Sequence, residues 1–306
     1  MNNQPAAQEK SYLPYLTLFI VQLSFGSLPV TGKILMQTIP AFGLVGFRVG
    51  ITALVLFIFQ ALKRDLLPKE TRDYWWFVLL SFVGVTLNQL FFIKGLSLTK
   101  ASNAALLAVT IPIFTIIISI FFGAERLRGF KVFGIMIAAI GVLILIDPTN
   151  AGFSIDTTTG DILVILNSLC YAIFVVISKD VFIRNGAIKS TAWIFGLASL
   201  ICVPIAGFSL QDVDMLSLGS MNWLLIAHVS IICTVVPYLL VAWSVARVNP
   251  STVAVFVYLQ PLIGFGMAVA FLGENFTAFT ILAAILIFSG VYLATKKRKQ
   301  IVDLLQ

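Results

Sequence analysis

The sequence is poor in charged residues, and this scarcity sets the solvent in which the protein folds. Asp, Glu, Lys and Arg make up 11% of its 306 residues, whereas 59% are hydrophobic and the mean hydropathy is +1.03. Soluble domains carry roughly a quarter charged residues. A soluble fold of this length could not hide so much apolar surface, so the sequence predicts an all-α membrane protein.

The sequence also lacks the motifs of the common enzyme classes. It has no CxxC pair, no P-loop, no G-x-S-x-G and no G-x-G-x-x-G, and no two carboxylates are placed to act as acid and base. Cys170, Cys202 and Cys233 lie inside apolar segments, which argues against a disulfide framework. The net charge of +7 is scattered among loops, which argues against a nucleic-acid partner. We expect no enzyme activity, metal or cofactor.

Long apolar runs are what the chain has in abundance. A membrane-spanning helix needs about 20 apolar residues. The sequence predicts ten spans in one multi-pass protein: Tyr15–Met36, Phe42–Leu62, Tyr74–Leu96, Ala101–Phe122, Gly129–Ile146, Gly160–Phe182, Thr191–Phe208, Met221–Ala246, Ser251–Leu272 and Phe276–Thr295.

The basic residues predict the orientation of these spans. With a cytoplasmic N-terminus, most of the 20 Lys and Arg fall in cytoplasmic loops and in a basic tail, residues 297–306. The exceptions are Lys33, Arg48, Lys94 and Lys100. We therefore expect both termini in the cytoplasm and the protein in the plasma membrane, which is the inner membrane in a Gram-negative bacterium.

One stretch of the chain, Phe91–Ile146, occurs twice, with its second copy in Tyr238–Thr295. Adding 149 to each number brings Pro112 onto Pro261, and a weaker echo at an offset of 146 relates the preceding spans. The pairs that coincide include Glu125 with Glu274, Phe25 with Tyr171, and Lys33 with Lys179.

The duplication predicts two five-helix repeats, residues 12–148 and residues 158–296. Five spans are an odd number, so the second repeat enters the membrane upside down. Inverted repeats place a binding site near the midplane, between the two halves. Small-residue pairs such as Gly46/Gly50 and Gly134/Ala138 are expected to mark close helix contacts.

The two copies, the ten spans, the thirteen-residue Pro–Glu spacing and Arg48 in span two resemble the EamA-type branch of the drug/metabolite transporter superfamily. The resemblance covers nearly the whole chain. It implies export or exchange of a small organic metabolite by alternating access, with amino acids and related compounds as the commonest class. Many relatives carry a Trp-Gly pair in span one, where this chain has Phe25-Gly26.

Polar and aromatic residues near the middle of the spans are candidates to line a substrate cavity. Ligand sites combine apolar and aromatic walls with a few polar anchors, although Asn and Gln in lipid also bond helix to helix. The candidates are Gln22, Ser24, Asn88, Gln89, Asn167, Tyr171, Tyr238, Tyr258 and Gln260.

Arg48 and His228 are the ionisable candidates. Arg48 has no carboxylate partner within its span, so it must reach helix-end carbonyls, face a wet vestibule or meet an anionic group of the substrate. His228 is either packed against a neighbouring helix or a substrate contact or proton site. Lys33 and Lys94 lie near helix ends and are expected to snorkel to the outer interface.

The charges inside the predicted spans also bear on coupling. No Asp or Glu falls in the middle of a span, which favours facilitated or exchange transport over proton coupling. The basic residues of the outer half suggest a substrate that bears a carboxylate or another anionic group.

Four prolines near mid-depth remove helical hydrogen bonds and predict a flexible central cavity with gates. They are Pro29, Pro112, Pro237 and Pro261.

The predicted partners are a small-molecule substrate and the lipid bilayer, and a monomer and a homodimer are equally open. Two other functions stay open at this stage: a uniport channel, for which the sequence has no evident ring of like groups, and a non-transporting membrane scaffold or receptor.

Overall fold

The computed structural model describes residues 12–126, 128–146, 155–263 and 278–295. The regular structure within these ranges is helical. Glu274 and the predicted tail 297–306 lie outside the described residues. The helices, in chain order, are α1 (Leu13–Leu35), α2 (Ala41–Leu62), α3 (Asp73–Leu98), α4 (Ala101–Leu107), α5 (Thr110–Phe121), α6 (Gly129–Ile146), α7 (Ile155–Ile177), α8 (Lys179–Asn185), α9 (Ala187–Ser209), α10 (Ser220–Val245), α11 (Pro250–Ile263) and α12 (Ala278–Thr295).

Seven helical segments of the described chain are long and apolar enough to cross a membrane, and three further apolar helices are shorter. The protein is therefore a multi-pass membrane protein, as predicted, while the count of ten spans stays a prediction. Large apolar side chains cover its outer surface: Leu54, Ile117 and Leu200 are 62%, 58% and 71% exposed. Such a surface is stable against lipid and not against water.

Small residues allow the closest helix packing, between α2 and α9 and between α6 and α12. A Cβ added to Gly46 would overlap the Cβ of Ala206, and one added to Gly290 would lie 2.5 Å from the backbone N of Ala138. Backbones approach this closely only where no side chain intervenes. Both small-residue pairs expected from the sequence are therefore confirmed as helix contacts.

Residues 149 positions apart touch each other near the centre of the molecule. The amide of Gln89 donates to the Tyr238 hydroxyl (3.0 Å), and the Tyr258 hydroxyl donates to the Val109 carbonyl (3.1 Å). A residue can touch its own repeat counterpart only close to an axis that relates the two halves. These contacts are those expected of a two-fold relation between the repeats.

Three of the four prolines highlighted by the sequence lie beside an irregular stretch of helix, and Pro29 is the exception. Pro29 lies inside α1. Pro112 is the third residue of α5 and follows the break at residues 108–109. Pro237 lies two residues after a π-helical stretch, His228–Val235, within α10.

Pro261 follows a 3₁₀ turn, Phe256–Tyr258, within α11. The sequence did not predict a second π-helical stretch, Phe82–Leu87 in α3, because no proline marks it.

Candidate functional site

A cavity of about 570 Å³ lies among α1, α2, α3, α4, α7, α10 and α11, with one residue each from α5 and α6, a volume typical of small-molecule sites. Nine of the residues predicted from the sequence lie on its wall. They are Pro29, Arg48, Asn88, Gln89, Asn167, Tyr171, Tyr238, Gln260 and Pro261. Gln22, Ser24, Pro112, His228, Pro237 and Tyr258 are not part of this wall.

Arg48 is the one cationic side chain on the wall, within the described residues, and it is 1% exposed. Its Nε donates to the Thr234 hydroxyl (3.0 Å) and its Nη2 to the Cys233 carbonyl (3.3 Å). Its Nη1 is buried without a partner, and no described carboxylate forms an ion pair with the guanidinium. Arg48 thus reaches one backbone carbonyl, inside α10 and not at a helix end, and also lies on the cavity wall.

A polar network joins α3, α7 and α10 across the cavity wall. Asn88 and Asn167 each donate an amide N–H to the other's backbone carbonyl, at 3.3 and 2.9 Å. The Tyr238 hydroxyl donates to Oδ1 of Asn88 (3.2 Å) and accepts from Gln89. These bonds hold three helices together. Asn88, Gln89 and Asn167 therefore bond helix to helix, the alternative that the sequence left open beside lining a substrate cavity.

Two aromatic rings on the wall have different surroundings. The Tyr238 ring packs edge-on against Phe195, with centroids 4.8 Å apart, and against Phe25 at 6.1 Å. Phe25 therefore supplies the aromatic contact of the Phe25-Gly26 pair. The hydroxyl of Tyr171 forms no hydrogen bond within the described chain, so it is available to a ligand.

The candidates away from the cavity have local partners. Gln22 accepts a hydrogen bond from Gln260 (2.8 Å), Ser24 donates to the Ile20 carbonyl of its own helix, and Tyr258 donates to Val109. Gln22, Ser24 and Tyr258 are therefore not on the wall of this cavity: Gln22 and Tyr258 bond between helices, and Ser24 bonds within α1.

His228 packs against a neighbouring helix, one of the two options that the sequence left open. Its Nε2 lies 3.1 Å from the Ser27 hydroxyl of α1 and 3.4 Å from the Cys233 sulfur. Half-buried between α1 and α10, it is not on the cavity wall.

The two duplicated lysines cap helix ends. Lys33 Nζ donates to the Thr99 carbonyl (2.7 Å), and Lys179 Nζ donates to the Val248 carbonyl (3.1 Å). A lysine satisfies the free carbonyls at a helix C-terminus and interacts favourably with the helix dipole. Lys33 and its counterpart Lys179 thus have equivalent partners at helix ends, and the offset of 146 between them was the signal for this shared role.

The remainder of the wall is apolar and was not predicted. Small residues of α4 and aliphatic residues of neighbouring helices form it: Leu28, Val30, Phe92, Ala104, Ala105, Ala108, Ile111, Leu145, Val164 and Val257, together with Gly26 and Ser168. These residues have no chemical signature in an apolar sequence. In α11 the counterpart of half-buried Ala105 is Ala254, which is 0% exposed and not on the wall, whereas Val257, the counterpart of Ala108, does line the cavity.

The cavity lies toward one end of the molecule. Its wall uses the C-terminal halves of α1 and α3 and the middle parts of α4 and α7. The opposite end is packed: Thr17 of α1 bonds Ser244 of α10 (2.8 Å), and the ring of Tyr15 lies against Phe256.

Polar contacts join the loops at the packed end. Asp73 accepts hydrogen bonds from Arg184 and Asn185, and hydrogen bonding to Asp73 raises the pKa of Arg184. In a second group of contacts, Glu125 pairs with Lys131 (2.6 Å) and accepts the backbone N–H of Ser251 (2.8 Å).

Known proteins resemble this chain along most of its length. A transporter of Archaeoglobus fulgidus is 26% identical over 290 residues, which is 94% of this chain and 98% of the relative. YyaM of Bacillus subtilis is 25% identical over 256 residues, 82% of this chain and 81% of the relative. Both relatives are named uncharacterized transporters. A solved crystal structure with 19% identity matches the fold with a TM-score of 0.74, covering 92% of this chain and 96% of that one.

The EamA-like transporter family matches the chain twice, over residues 13–147 and 158–296. These two matches cover nearly all of a helical membrane protein with a central cavity. The chain therefore belongs to the EamA-like transporter family, within the drug/metabolite transporter superfamily, and is a membrane transporter.

Proposed function

We propose that the protein exports or exchanges small organic metabolites that bear a carboxylate, amino acids or related compounds, by alternating access to its central cavity. The observation that carries this proposal is Arg48, a buried guanidinium on the wall with one nitrogen unpartnered. A buried charge without a counter-ion costs several kcal/mol. A carboxylate bound in the cavity would offset that cost, whereas a cationic substrate would add to it.

Alternating access is supported by the difference between equivalent parts of the two repeats. Ala105 of α4 lines the cavity and is half-buried, while its counterpart Ala254 of α11 is fully buried and not on the wall. If the two repeats exchanged these arrangements, the cavity would face the other side of the membrane. With the orientation predicted from the basic residues, the described arrangement faces outward.

Exchange without proton coupling is supported by the residues of the wall. Among the described lining residues none is Asp, Glu or His, so no group there ordinarily gains and loses a proton near neutral pH.

The experiment is exchange in proteoliposomes loaded with pooled amino acids and organic acids, with and without an imposed pH gradient. We expect uptake that requires an internal counter-substrate and ignores the gradient. Accumulation driven by the gradient would contradict exchange and direct attention to His228. Absence of transport for every compound would contradict the proposal and favour a scaffold. A flux that does not saturate as the substrate concentration rises would favour a channel.

A further inference from the structure

The amide groups of Asn88 and Asn167 have orientations that their partners dictate. Each amide nitrogen donates to a backbone carbonyl of the other residue, and a carbonyl can only accept. Neither amide can rotate by half a turn without placing two oxygens face to face. The side-chain oxygens of both residues are therefore left to accept hydrogen bonds from elsewhere.

Tyr238 transmits this orientation to Gln89. Its hydroxyl donates its single proton to Oδ1 of Asn88, at 3.2 Å. The second contact of the hydroxyl, 3.0 Å from Nε2 of Gln89, must then be one that it accepts. Gln89 is consequently held with its nitrogen toward Tyr238 and its oxygen away from it.

Two amide oxygens remain without donors on the cavity wall. Oε1 of Gln89 and Oδ1 of Asn167 form no hydrogen bond within the described chain, and neither is fully enclosed by protein atoms. The same wall carries the guanidinium of Arg48, which has a donor to spare. The cavity thus presents one cationic donor and two neutral acceptors.

We propose that Tyr238 is a positioning residue that sets substrate specificity. By holding the amide of Gln89, it directs an acceptor toward the cavity, where Gln89 and Asn167 receive the ammonium group of a zwitterionic substrate. This inference rests on the proposed function, because it assumes that the substrate's carboxylate pairs with Arg48. The apolar remainder of the wall, including Phe92 and Val164, receives an uncharged, apolar side group.

The test compares two pairs of ligands that differ only in the amino group. L-phenylalanine is measured against 3-phenylpropanoate, and L-leucine against 4-methylpentanoate, by calorimetric binding to the purified protein. We expect the wild type to prefer each amino acid by about tenfold or more, because a site built to bond an N–H group discriminates strongly against its absence. In Tyr238→Phe the preference falls to about threefold or less, since the amide of Gln89 can now turn its nitrogen to the cavity.

Tyr258→Phe is the matched control. Tyr258 is also buried, but its hydroxyl donates to the Val109 carbonyl between α4 and α5 and does not orient any group on the wall. We expect the variant Tyr258→Phe to lose one buried hydrogen bond and to keep the wild-type preference for each amino acid over its analogue without the amino group. Gln89→Met, which leaves the hydroxyl of Tyr238 in place, loses the preference as Tyr238→Phe does.

Equal binding of the two members of each pair by the wild type overturns this inference but leaves the proposed function standing, provided that binding still requires Arg48. A preference that survives in folded Tyr238→Phe and Gln89→Met also overturns it. Absence of binding by all four ligands overturns both the inference and the proposed function.

Discussion

At the scale of single residues, Arg48 and Pro237 depend on each other. Pro237 has no N–H to give to the carbonyl of Cys233, four residues earlier, and that carbonyl accepts from Nη2 of Arg48. The proline thus supplies the acceptor that holds the arginine. The sequence predicts a deep arginine and a disrupted helix separately, but it cannot connect them, because the two residues are distant in the chain and meet only through packing.

Replacing Arg48 by methionine removes the charge and keeps a long apolar side chain. We expect a melting temperature equal to that of the wild type or higher, because a buried charge without a carboxylate partner contributes little net stability. We also expect carboxylate ligands to lose the stabilisation that they give the wild type by mass action. Thermal melts with and without ligand measure both effects.

Arg247→Met provides the control for this substitution. Arg247 lies outside the cavity and stacks on the ring of Trp243, so its variant should still respond to ligand. A large fall in the melting temperature of Arg48→Met in the absence of ligand would mean that Arg48 has a structural role.

At the scale of helices, the contact between α2 and α9 tolerates no added volume at Gly46. We expect Gly46→Ala to lower the free energy of unfolding by about 1–3 kcal/mol, because the new methyl group would overlap Ala206 and force the helices apart. Gly207, also in α9, has open space around its Cβ position. Gly207→Ala should raise stability by about 0.5 kcal/mol through helix propensity alone, and chemical unfolding in detergent compares the two variants.

The loop between α2 and α3 depends on one asparagine of α8. Oδ1 of Asn185 accepts the backbone N–H of Lys69 (2.8 Å), and its Nδ2 donates to Asp73 (2.8 Å). Without this residue the loop should open locally more often. Limited trypsin digestion at the basic residues of the loop should therefore be several-fold faster in Asn185→Ala, by roughly the factor expected for one or two buried hydrogen bonds.

Asn249→Ala serves as the comparison, because Asn249 is exposed and its side chain does not cap α11. Equal digestion of the two variants would mean that Asn185 does not restrain the loop.

Helix positions were predictable from the sequence, while the irregularities within them were only partly so. Runs of apolar residues and proline positions located the helices and three of their interruptions. The π-helical stretch in α3 was not predictable, because no proline marks it; Gly84, within it, lies against the ring of Phe174.

At the scale of the whole molecule, the two repeats should differ in how accessible their equivalent positions are to a reagent in solution. A cysteine at Ala105, on the cavity wall, should react with a water-soluble thiol reagent about tenfold or more faster than one at Ala254, its buried counterpart 149 residues later. The natural cysteines are buried and contribute a low background. Equal rates at the two positions would contradict the arrangement described here.

The sequence predicted the class of the protein and the polar half of its cavity wall. Arg48, Asn88, Gln89, Asn167, Tyr171 and Gln260 stand out because polar side chains in lipid need a reason. The apolar half of the wall could not be predicted, since Ala104 or Val164 on a cavity has the same sequence signal as an alanine or valine in a helix contact.

Arg48 also makes the two halves of the molecule non-equivalent, because only the first repeat has this arginine and its hydrogen bonds. It joins α2 of the first repeat to α10 of the second, and the repeat offsets of 146 and 149 place Ile194 and Leu197 where a second arginine would be needed. Exchanging the roles of the halves therefore cannot reproduce the same set of bonds. Under the proposed alternating access, the substrate-free protein would therefore favour one of its two states, and a single side chain would set part of that preference.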